Sequence, residues 1–375
     1  YLSYRFLIID PYYENFLNAF YKKHPQVLAY DYDNALKALM AECFGTADFY
    51  SSNLISLGHE AVDVIANDRV LQQKWAKQNR VKVSNPSFIS RFIQRIPYIR
   101  RFSRPAAWIL AILESQVKTI KPDILYFHNI SLCEPDFVEK VKKHVKLVVG
   151  QIACPLPAER CLHSCDLILT SFPHYVERFR KMGIASEYFR LAFEASLIRR
   201  LQNLPQKYET VFIGGISKAH GEGTRTLEYL AAKVKVDFWG YGVEALPPNS
   251  YIRRNFHGEA WGLDMYNILH NSKIVVNRHI DVAENYANNM RLYEATGAGA
   301  FLITDYRDNL NELFEIGKEV EVYRSAEELV EKVKYYLAHD DERKKIAEAG
   351  QARTLRDHTW EKRMAELVEI IERYI

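Results

Sequence analysis

Short apolar runs alternate with longer stretches of helical periodicity along the whole chain. The runs hold about four or five residues and are rich in Val and Ile, which is typical of strands covered on both faces. They fall at residues 6–9, 61–65, 124–127, 145–149 and 167–169, and then at 210–213, 236–239, 274–276, 300–303 and 320–323. Because stretches of roughly ten or more residues at helical spacing separate most of them, the pattern predicts parallel, doubly wound α/β sheets.

The runs form two sets, which indicates two domains. The chain has 375 residues, and a domain of ordinary size holds about 100–200 residues. Residues 196–208 leave one set and enter the other, with Pro205 as a natural stop before the next run. We therefore predict a Rossmann-like domain over residues 1–200 and a second one over residues 209–358, facing a central cleft.

The end of the chain predicts a separate helix over residues 359–375. Thr359 is a good N-cap residue, and Trp360 and Glu361 follow it. One face of this helix is apolar and carries Met364, Leu367, Ile370 and Ile371. That stripe must pack on one of the two domains, and a return to the N-terminal domain is one of the two alternatives.

Charge, cysteine content and hydropathy narrow the class of protein. A net charge of +3 is too small to imply a nucleic-acid partner by itself. The five cysteines lack paired CxxC sets, so we expect buried reduced thiols rather than a zinc site or disulfides. No apolar run approaches the ~18–20 residues of a membrane span, and the first ten residues have the pattern of a strand rather than a signal peptide. These features favour a cytoplasmic protein.

One segment is basic throughout. Residues 69–113 contain ten Lys or Arg residues and no acidic residue, and apolar side chains interleave with the arginines from residue 88 to 101. One interpretation is an amphipathic surface helix with a solvated basic face. The other is a patch over residues 69–104 for anionic lipid headgroups at the inner membrane face, or for a phosphate-bearing acceptor. Nucleic acid is not expected, because no recognition motif accompanies the charge.

The first candidate ligand-binding motif in the second half of the chain is a pair of glycines. Gly214 and Gly215 follow the run at 210–213 and let the backbone approach a ligand closely. Free N–H groups at the start of the next helix favour a phosphate, and His220 and Arg225 supply positive or donor groups nearby. A plain strand-to-helix turn remains the alternative, since two glycines alone are a weak signal.

The densest group of polar residues follows the run at 274–276. It comprises Arg278, His279, Asp281, Asn288, Asn289 and Arg291. Ligands bind at the carboxyl ends of parallel strands. A helix is predicted over residues 289–296, so the amides of Asn288, Asn289, Met290 and Arg291 would face a diphosphate. Glu294, one turn further, would accept hydrogen bonds from ribose hydroxyls; a solvated helix cap is the alternative.

Residues 209–370 resemble the nucleotide-sugar-binding half of GT-B glycosyltransferases of the retaining family 4 type, the group 1 glycosyl transferases. Residues 294–299, EATGAG, match the family's second Glu and the residues after it. The chain as a whole resembles more closely a bacterial group of spore-maturation-type glycosyltransferases, through residues 258–265, GEAWGLDM, and 289–296, NMRLYEAT. The resemblance implies the GT-B fold, a nucleotide-diphosphate sugar as donor, and transfer with retention of configuration.

The chain departs from the family at one position. Family 4 enzymes carry another Glu eight positions before the second one, where this chain has Tyr286, and the nearest candidate is Glu284. The resemblance therefore does not supply the family's contact with the transferred sugar. No DxD triplet appears, so we expect no metal and no cofactor beyond the donor itself; backbone amides, Arg291 and His220 would stabilise the leaving diphosphate. His279 joins Arg291 as a candidate catalytic residue.

Strand ends of the first half also collect polar residues, at 10–15, 128–129, 151–155 and 170–174. Singly they are explained by turn chemistry, whereas together they favour an acceptor cleft. If transfer inverts the anomeric configuration, a base must act on the acceptor hydroxyl, and Asp10 and His128 are the candidates.

The sequence thus predicts an enzyme that moves a sugar to a hydroxyl of a glycan, a lipid-linked acceptor or a protein. Two alternatives remain open: a GT-B-fold nucleotide-sugar epimerase, and a noncatalytic nucleotide-sugar-binding or assembly protein. The absent Glu at Tyr286 keeps the second alternative open.

Overall fold

The computed structural model describes residues 2–81, 106–204, 208–216 and 221–375. It divides into two compact units, one formed by Tyr1–Phe189 with Met364–Ile375 and the other by Arg190–Arg363. Most of the basic segment, from residue 82 to 104, lies outside the described residues, as does His220.

The N-terminal unit contains a six-stranded parallel sheet in the order β2-β1-β3-β4-β5-β6. The strands are β1 Arg5–Asp10, β2 Glu60–Ile65, β3 Ile124–Phe127, β4 Leu147–Gln151, β5 Leu167–Thr170 and β6 Ser186–Tyr188. The helices are α1 Glu14–Lys23, α2 Tyr32–Met40, α3 Phe49–Ser56, α4 Arg69–Gln78, α5 Ala107–Ile120, α6 Pro135–Lys142, α7 Glu159–Leu162 and α8 Pro173–Lys181, with 3-10 turns at Pro25–Ala29 and Ile130–Leu132. The strand order reverses between β1 and β3, so their carboxyl ends meet at the switch point of the sheet.

The C-terminal unit contains a five-stranded parallel sheet in the order β11-β10-β9-β7-β8. The strands are β7 Tyr208–Gly215, β8 Asp237–Tyr241, β9 Ser272–Asn277, β10 Phe301–Asp305 and β11 Glu321–Tyr323. The helices are α9 Gly221–Lys233, α10 Tyr251–Arg254, α11 Gly262–His270, α12 Met290–Gly297, α13 Leu310–Leu313, α14 Ala326–Ala338 and α15 Asp340–Asp357, with 3-10 turns at Ala195–Arg200, Val243–Ala245 and Asp281–Ala283. Here the order reverses between β7 and β9.

The last helix, α16 Trp360–Glu372, has residues in both units. It begins directly after Thr359, whose hydroxyl accepts a hydrogen bond from the backbone N–H of Lys362 at 3.5 Å. Its apolar stripe is buried, at Met364, Leu367, Ile370 and Ile371. From Met364 onward the chain groups with the N-terminal unit.

The predicted parallel sheets are confirmed, and the apolar runs become strands because both faces of each sheet are covered. Every residue of β3 and β4 is buried. β4 begins at Leu147, two residues later than its apolar run, and β6 was not predicted at all. β6 is a three-residue edge strand with the sequence SEY, so neither its length nor its polarity marks it as a strand.

Two expectations from composition can be compared with the described residues. Four of the five free thiols are buried, but Cys154 is exposed, which corrects the expectation that all five are buried. Within the described residues, no helix is both long enough and apolar enough to cross a membrane.

Candidate functional site

The carboxyl ends of β7 and β9 meet at the switch point of the C-terminal sheet. Gly214 and Gly215 end β7, and Asn277 ends β9. Residues 278–289, the polar loop, leave β9 at this point and lead into α12, with Asn289 as the N-cap residue. The structure therefore brings the predicted polar loop and the predicted glycine pair to the same edge of one sheet.

Asn289 ties the two ends of the polar loop together. Its amide nitrogen donates to the side-chain oxygen of Asn277 at 2.9 Å and to the backbone carbonyl of Arg278 at 3.0 Å. The Asn277 amide nitrogen donates in return to Asn289 Oδ1 at 3.1 Å. Because the Asn289 side chain is engaged with the loop, it makes no capping hydrogen bond to α12.

His279 is hydrogen-bonded to Asp305 at the same edge of the sheet, through its backbone N–H and its Nδ1, whereas its Nε2 is buried without a hydrogen-bond partner among the described residues. Its Nδ1 is 2.7 Å from Asp305 Oδ1, and its backbone N–H donates to the same carboxylate. Arg307 forms an ion pair with Asp305 at 2.6 Å. Burial works to raise the pKa of Asp305, but the bonds from His279 and the positive charge of Arg307 outweigh it and lower that pKa to about 2. The His279 side chain is fully buried, so its contacts orient the loop.

Arg291 and Glu294 form an ion pair on α12, at 2.7 Å between Nη1 and Oε2. Arg291 Nη2 also donates to the backbone carbonyl of Ile213 in β7, at 3.2 Å. Burial raises the pKa of Glu294, although the Arg291 charge and a hydrogen bond from Tyr266 oppose that rise. The predicted ribose-binding carboxylate and the predicted diphosphate-binding cation therefore both lie near the end of β7. In this structure they are bonded to each other.

The other predicted donor-binding residues are placed less uniformly. Asn288 is buried, and Met290 is the first residue of α12. Arg225 is exposed on α9. The Tyr241 ring of β8 lies beside Gly215, where a Cβ would be 3.0 Å from that ring.

Sequence reasoning counted Arg278 in the polar loop but gave it no role in the site. In the structure its guanidinium reaches back to β7, where Nη2 donates to the carbonyl of Gly215 at 2.9 Å. The guanidinium carbon lies 5.7 Å from the ring centre of Phe212. The sequence signal that could have assigned Arg278 to the site is its position directly after a buried strand at the switch point.

Asp10 and His128 lie side by side at the switch point of the N-terminal sheet. Asp10 ends β1 and His128 follows β3, and the His128 backbone N–H donates to the Ile9 carbonyl at 3.0 Å. Burial, and then the nearby Asp63 carboxylate, raises the pKa of Asp10 to about 8. Asp10 is therefore mostly protonated in neutral solution.

His128 packs against Tyr50 and Tyr126, and both tyrosines bond to the side-chain amide of Gln151. The hydroxyls of Tyr50 and Tyr126 both donate to Gln151 Oε1, at 3.0 Å and 2.7 Å. The His128 ring meets the Tyr50 ring edge to face, with centroids 4.5 Å apart. Burial lowers the pKa of His128 to about 4, against a hydrogen bond with Gln151. The imidazole is therefore neutral at pH 7, and its Nε2 is buried without a hydrogen-bond partner among the described residues.

No group of three or more His, Cys, Asp or Glu side chains within the described ranges has an arrangement that could hold a metal ion. The cationic side chains described above at the C-terminal switch point are those of Arg278, Arg291 and Arg307. Of these, Arg278 and Arg291 lie nearest to the end of β7.

Part of the chain matches the model of a known protein family. Residues 222–369, which include α9, the polar loop and α12, match a family described as glycosyl transferase-like. No curated protein matches the chain.

Solved structures resemble the chain over its whole length. A glycosyltransferase from Rickettsia africae is 12% identical over 100% of this chain and 99% of its own, with a TM-score of 0.58. Sucrose-phosphate synthase from Thermosynechococcus elongatus is 10% identical, covers 99% of each chain and has a TM-score of 0.59. HepE from Anabaena, solved in complex with UDP-glucose, is 10% identical over 99% of this chain and 100% of its own, with a TM-score of 0.59.

At identities this low, the likeness shows the fold. The predicted GT-B fold, built from two Rossmann-like units, is confirmed. The nearer resemblance to the spore-maturation group stays a prediction.

Proposed function

We propose that this chain, whose residues 222–369 match the glycosyl transferase-like family and whose two units have the GT-B fold, is a glycosyltransferase that takes its sugar from a nucleoside-diphosphate donor and transfers it to an acceptor hydroxyl. The observation that carries the proposal is the pairing of Glu294 with Arg291 beside the end of β7, inside the matched range. A carboxylate and a guanidinium held together at a switch point offer both kinds of group that a nucleoside diphosphate needs.

In this proposal Glu294 accepts hydrogen bonds from the ribose hydroxyls, and the diphosphate lies at the amino end of α12. We propose that the backbone amides of Asn288, Asn289 and Met290 contribute to binding at that end, where the helix dipole favours negative charge. Arg291, already bonded to Glu294, would exchange part of that bond for a phosphate oxygen. The complexes of HepE with UDP-glucose, with UDP and glucose, and with UDP support the choice of UDP-sugars as first probes.

The proposed step breaks the bond between the anomeric carbon and the donor's phosphate oxygen and forms a bond from that carbon to the acceptor oxygen. The acceptor proton leaves with a base or with the departing phosphate, and negative charge grows on the diphosphate. Fixed cations and amides stabilise that charge most effectively where water is excluded. We propose that these groups suffice without a metal ion.

We propose retention of the anomeric configuration, on the strength of the family 4 resemblance. The chain has Tyr286 where that family has Glu, so the alternative is inversion with a base from the N-terminal unit. His128 is neutral at pH 7 and can accept a proton, although a pKa of about 4 makes it a weak base. Asp10, with a pKa of about 8, becomes a base only in alkaline solution.

We further propose that the enzyme works in the cytoplasm on a glycan, a lipid-linked acceptor or a protein, and that residues 69–104 contact anionic lipid. The run of ten basic residues without an acidic one supports the lipid contact. No nucleic-acid partner is proposed.

The proposal is tested by following the products from a panel of UDP-, GDP- and TDP-sugars. Release of free nucleoside diphosphate that continues in EDTA supports a metal-independent transferase. Loss of release in EDTA with rescue by Mn²⁺ or Mg²⁺ overturns the metal-free part alone. Isomerised sugar supports the epimerase alternative, and binding without turnover supports the noncatalytic one.

A further inference from the structure

A cavity of about 390 Å³ lies at the amino ends of β9 and β10, on the edge of the C-terminal sheet opposite to the polar loop. Ser272 begins β9 and Phe301 begins β10, and both residues line the cavity. Ligand cavities in proteins measure about 300–1,000 Å³, so this volume is sufficient for a small molecule. The charged residues of the lining all belong to the C-terminal unit and are Lys273, Asp340, Arg343 and Lys344.

The described lining of this cavity has more positive than negative charge. Three cationic side chains, of Lys273, Arg343 and Lys344, face one carboxylate, that of Asp340. The hydrogen bond and the charge of Arg343, and then the charges of Lys273 and Lys344, act against slight burial and lower the pKa of Asp340. All three cations therefore lie close enough to one carboxylate to share it, and their charge exceeds what it can balance.

Carboxylates outside the lining leave this excess of positive charge in place. Glu209 is 3.9 Å from Lys273, and both side chains are exposed, so water screens the attraction between them. Glu342 accepts a hydrogen bond from the Tyr335 hydroxyl at 2.8 Å, which holds its carboxylate at another place on the surface. Asp341 is exposed and does not line the cavity. An anion that enters the cavity would therefore meet a positive potential.

Arg343 is a buried cation with unused hydrogen-bond donors. The residue is 3% exposed, and its Nη1 donates to the Tyr336 carbonyl at 2.8 Å and to Asp340 at 2.5 Å. Both bonds use the same nitrogen, so Nε and Nη2 have no hydrogen-bond partner within the described ranges, and neither is sealed from solvent. Because buried donors are normally satisfied, an acceptor in the cavity would complete the guanidinium's bonds. The two existing bonds hold the group in place, which reduces the entropy lost on binding.

The lining suits a compact anion of high charge. A phosphate group carries about −1.5 to −2 charges at pH 7 and three strong acceptor oxygens. Lysines supply point charges to such a group, whereas an arginine supplies a planar fork of N–H donors. Lys344 has no hydrogen bond or close ion pair among the described residues, and Lys273 has only the screened one with Glu209. Both can therefore turn to a phosphate without breaking a strong bond.

We propose that this cavity is an anion site separate from the donor site, and that it binds a phosphate group, either as inorganic phosphate or as the monoester of a small molecule. Lys273 and Lys344 supply the charge, and Arg343 donates to a phosphate oxygen. The inference does not depend on the proposed function, because the cavity and the Arg291–Glu294 pair lie at opposite edges of the sheet.

The test is calorimetry in a phosphate-free buffer, with inorganic phosphate and glucose 6-phosphate as probes and glucose as the neutral control, each with and without UDP. We expect saturable binding of phosphate or its ester at one site per chain, unaffected by UDP, and none of glucose. The double variant Lys273→Gln, Lys344→Gln should weaken that binding about 10- to 100-fold, because it removes two charged contacts. Lys345→Gln is the matched control, since Lys345 is exposed on the same helix and does not line the cavity; its affinity should stay within about twofold.

Tighter binding of glucose 6-phosphate than of phosphate identifies an ester as the ligand, and equal or weaker binding identifies free phosphate. The inference is overturned if neither probe binds, if UDP displaces the probe, or if the double variant binds it like wild type. An equal loss in Lys345→Gln overturns it as well. If the double variant fails to fold, Lys344→Gln alone decides, because Lys344 is exposed.

Discussion

Two aspartates on one face of the N-terminal sheet, Asp10 and Asp63, have raised pKa values. Asp63 pairs in register with Ile8, two residues before Asp10, so the two side chains share a face. Burial raises the pKa of Asp63 to about 7, although a hydrogen bond from Ser51 opposes it. Together with the pKa of about 8 for Asp10, this means that the folded unit keeps protons that the unfolded chain releases near pH 4.

The direction of the pH effect follows from that difference. Between pH 4 and pH 7 the unfolded chain binds fewer protons at Asp63 than the folded chain, so the free energy of unfolding falls as pH rises. We expect Asp63→Asn to remove about 1–2 kcal/mol of that fall between pH 5 and pH 7, measured by urea unfolding. Asp33→Asn, an exposed change on α2, serves as the control. An Asp63→Asn variant with the wild-type pH slope would contradict the raised pKa of Asp63.

In the proposed site, Glu294 is the residue that binds the ribose hydroxyls. Glu294→Gln keeps the shape but removes the charge, so we expect donor affinity to fall by about 1.5–3 kcal/mol in calorimetry. Because Glu294 also bonds to Arg291, the melting temperature must be followed in parallel. Glu331→Gln, at an exposed position of α14, is the matched control. Equal affinity in a folded Glu294→Gln would rule out the ribose role.

The polar loop is an element held by side chains rather than by secondary structure. Asn289→Ala removes the two bonds donated to Asn277 and to the Arg278 carbonyl, and the one accepted from Asn277. We expect a stability loss of about 1–3 kcal/mol and weaker donor binding, because the polar loop that leads into the amino end of α12 loses the bonds that hold it. Asn285→Ala is the control in the same loop, since Asn285 is exposed and its side chain bonds to Asp308. Donor affinity that falls as much in Asn285→Ala would show a general loosening instead.

The elements that sequence could predict are those with a local signal. Apolar runs of three to five residues became strands, and the dense polar stretch after β9 lies at a switch point. β6 had no such signal. The bonds that hold the loop join residues far apart in sequence: His279 meets Asp305 across 26 positions and Arg278 meets Gly215 across 63. Such partners depend on strand order, which periodicity does not contain.

At the scale of the whole molecule, the role of the basic segment, residues 69–104, depends on whether it contacts an anionic membrane surface. Only residues 69–81 of it are described, and there Lys74 donates to the carbonyl of Leu28 at 2.8 Å. The prediction of a lipid contact therefore depends on the basic residues between positions 82 and 104.

We expect the chain to float with anionic vesicles at low salt, with about 1 kcal/mol contributed by each basic residue near the surface. Binding should weaken as salt screens the charges, and it should be lost when Arg91, Arg95, Arg100 and Arg101 become Gln. The control removes the same charge elsewhere, at exposed Lys235, Lys334, Lys344 and Lys345. Absence of flotation at low salt, or equal loss in the control, would exclude a specific lipid contact by this segment.

A crystal structure of the chain with UDP would show whether the C-terminal switch point binds the donor nucleotide. We expect ribose hydroxyls within hydrogen-bond distance of the Glu294 carboxylate and phosphate oxygens within reach of the α12 amides and Arg291. UDP bound elsewhere, for example at the end of β1 beside Asp10 and His128, would contradict it.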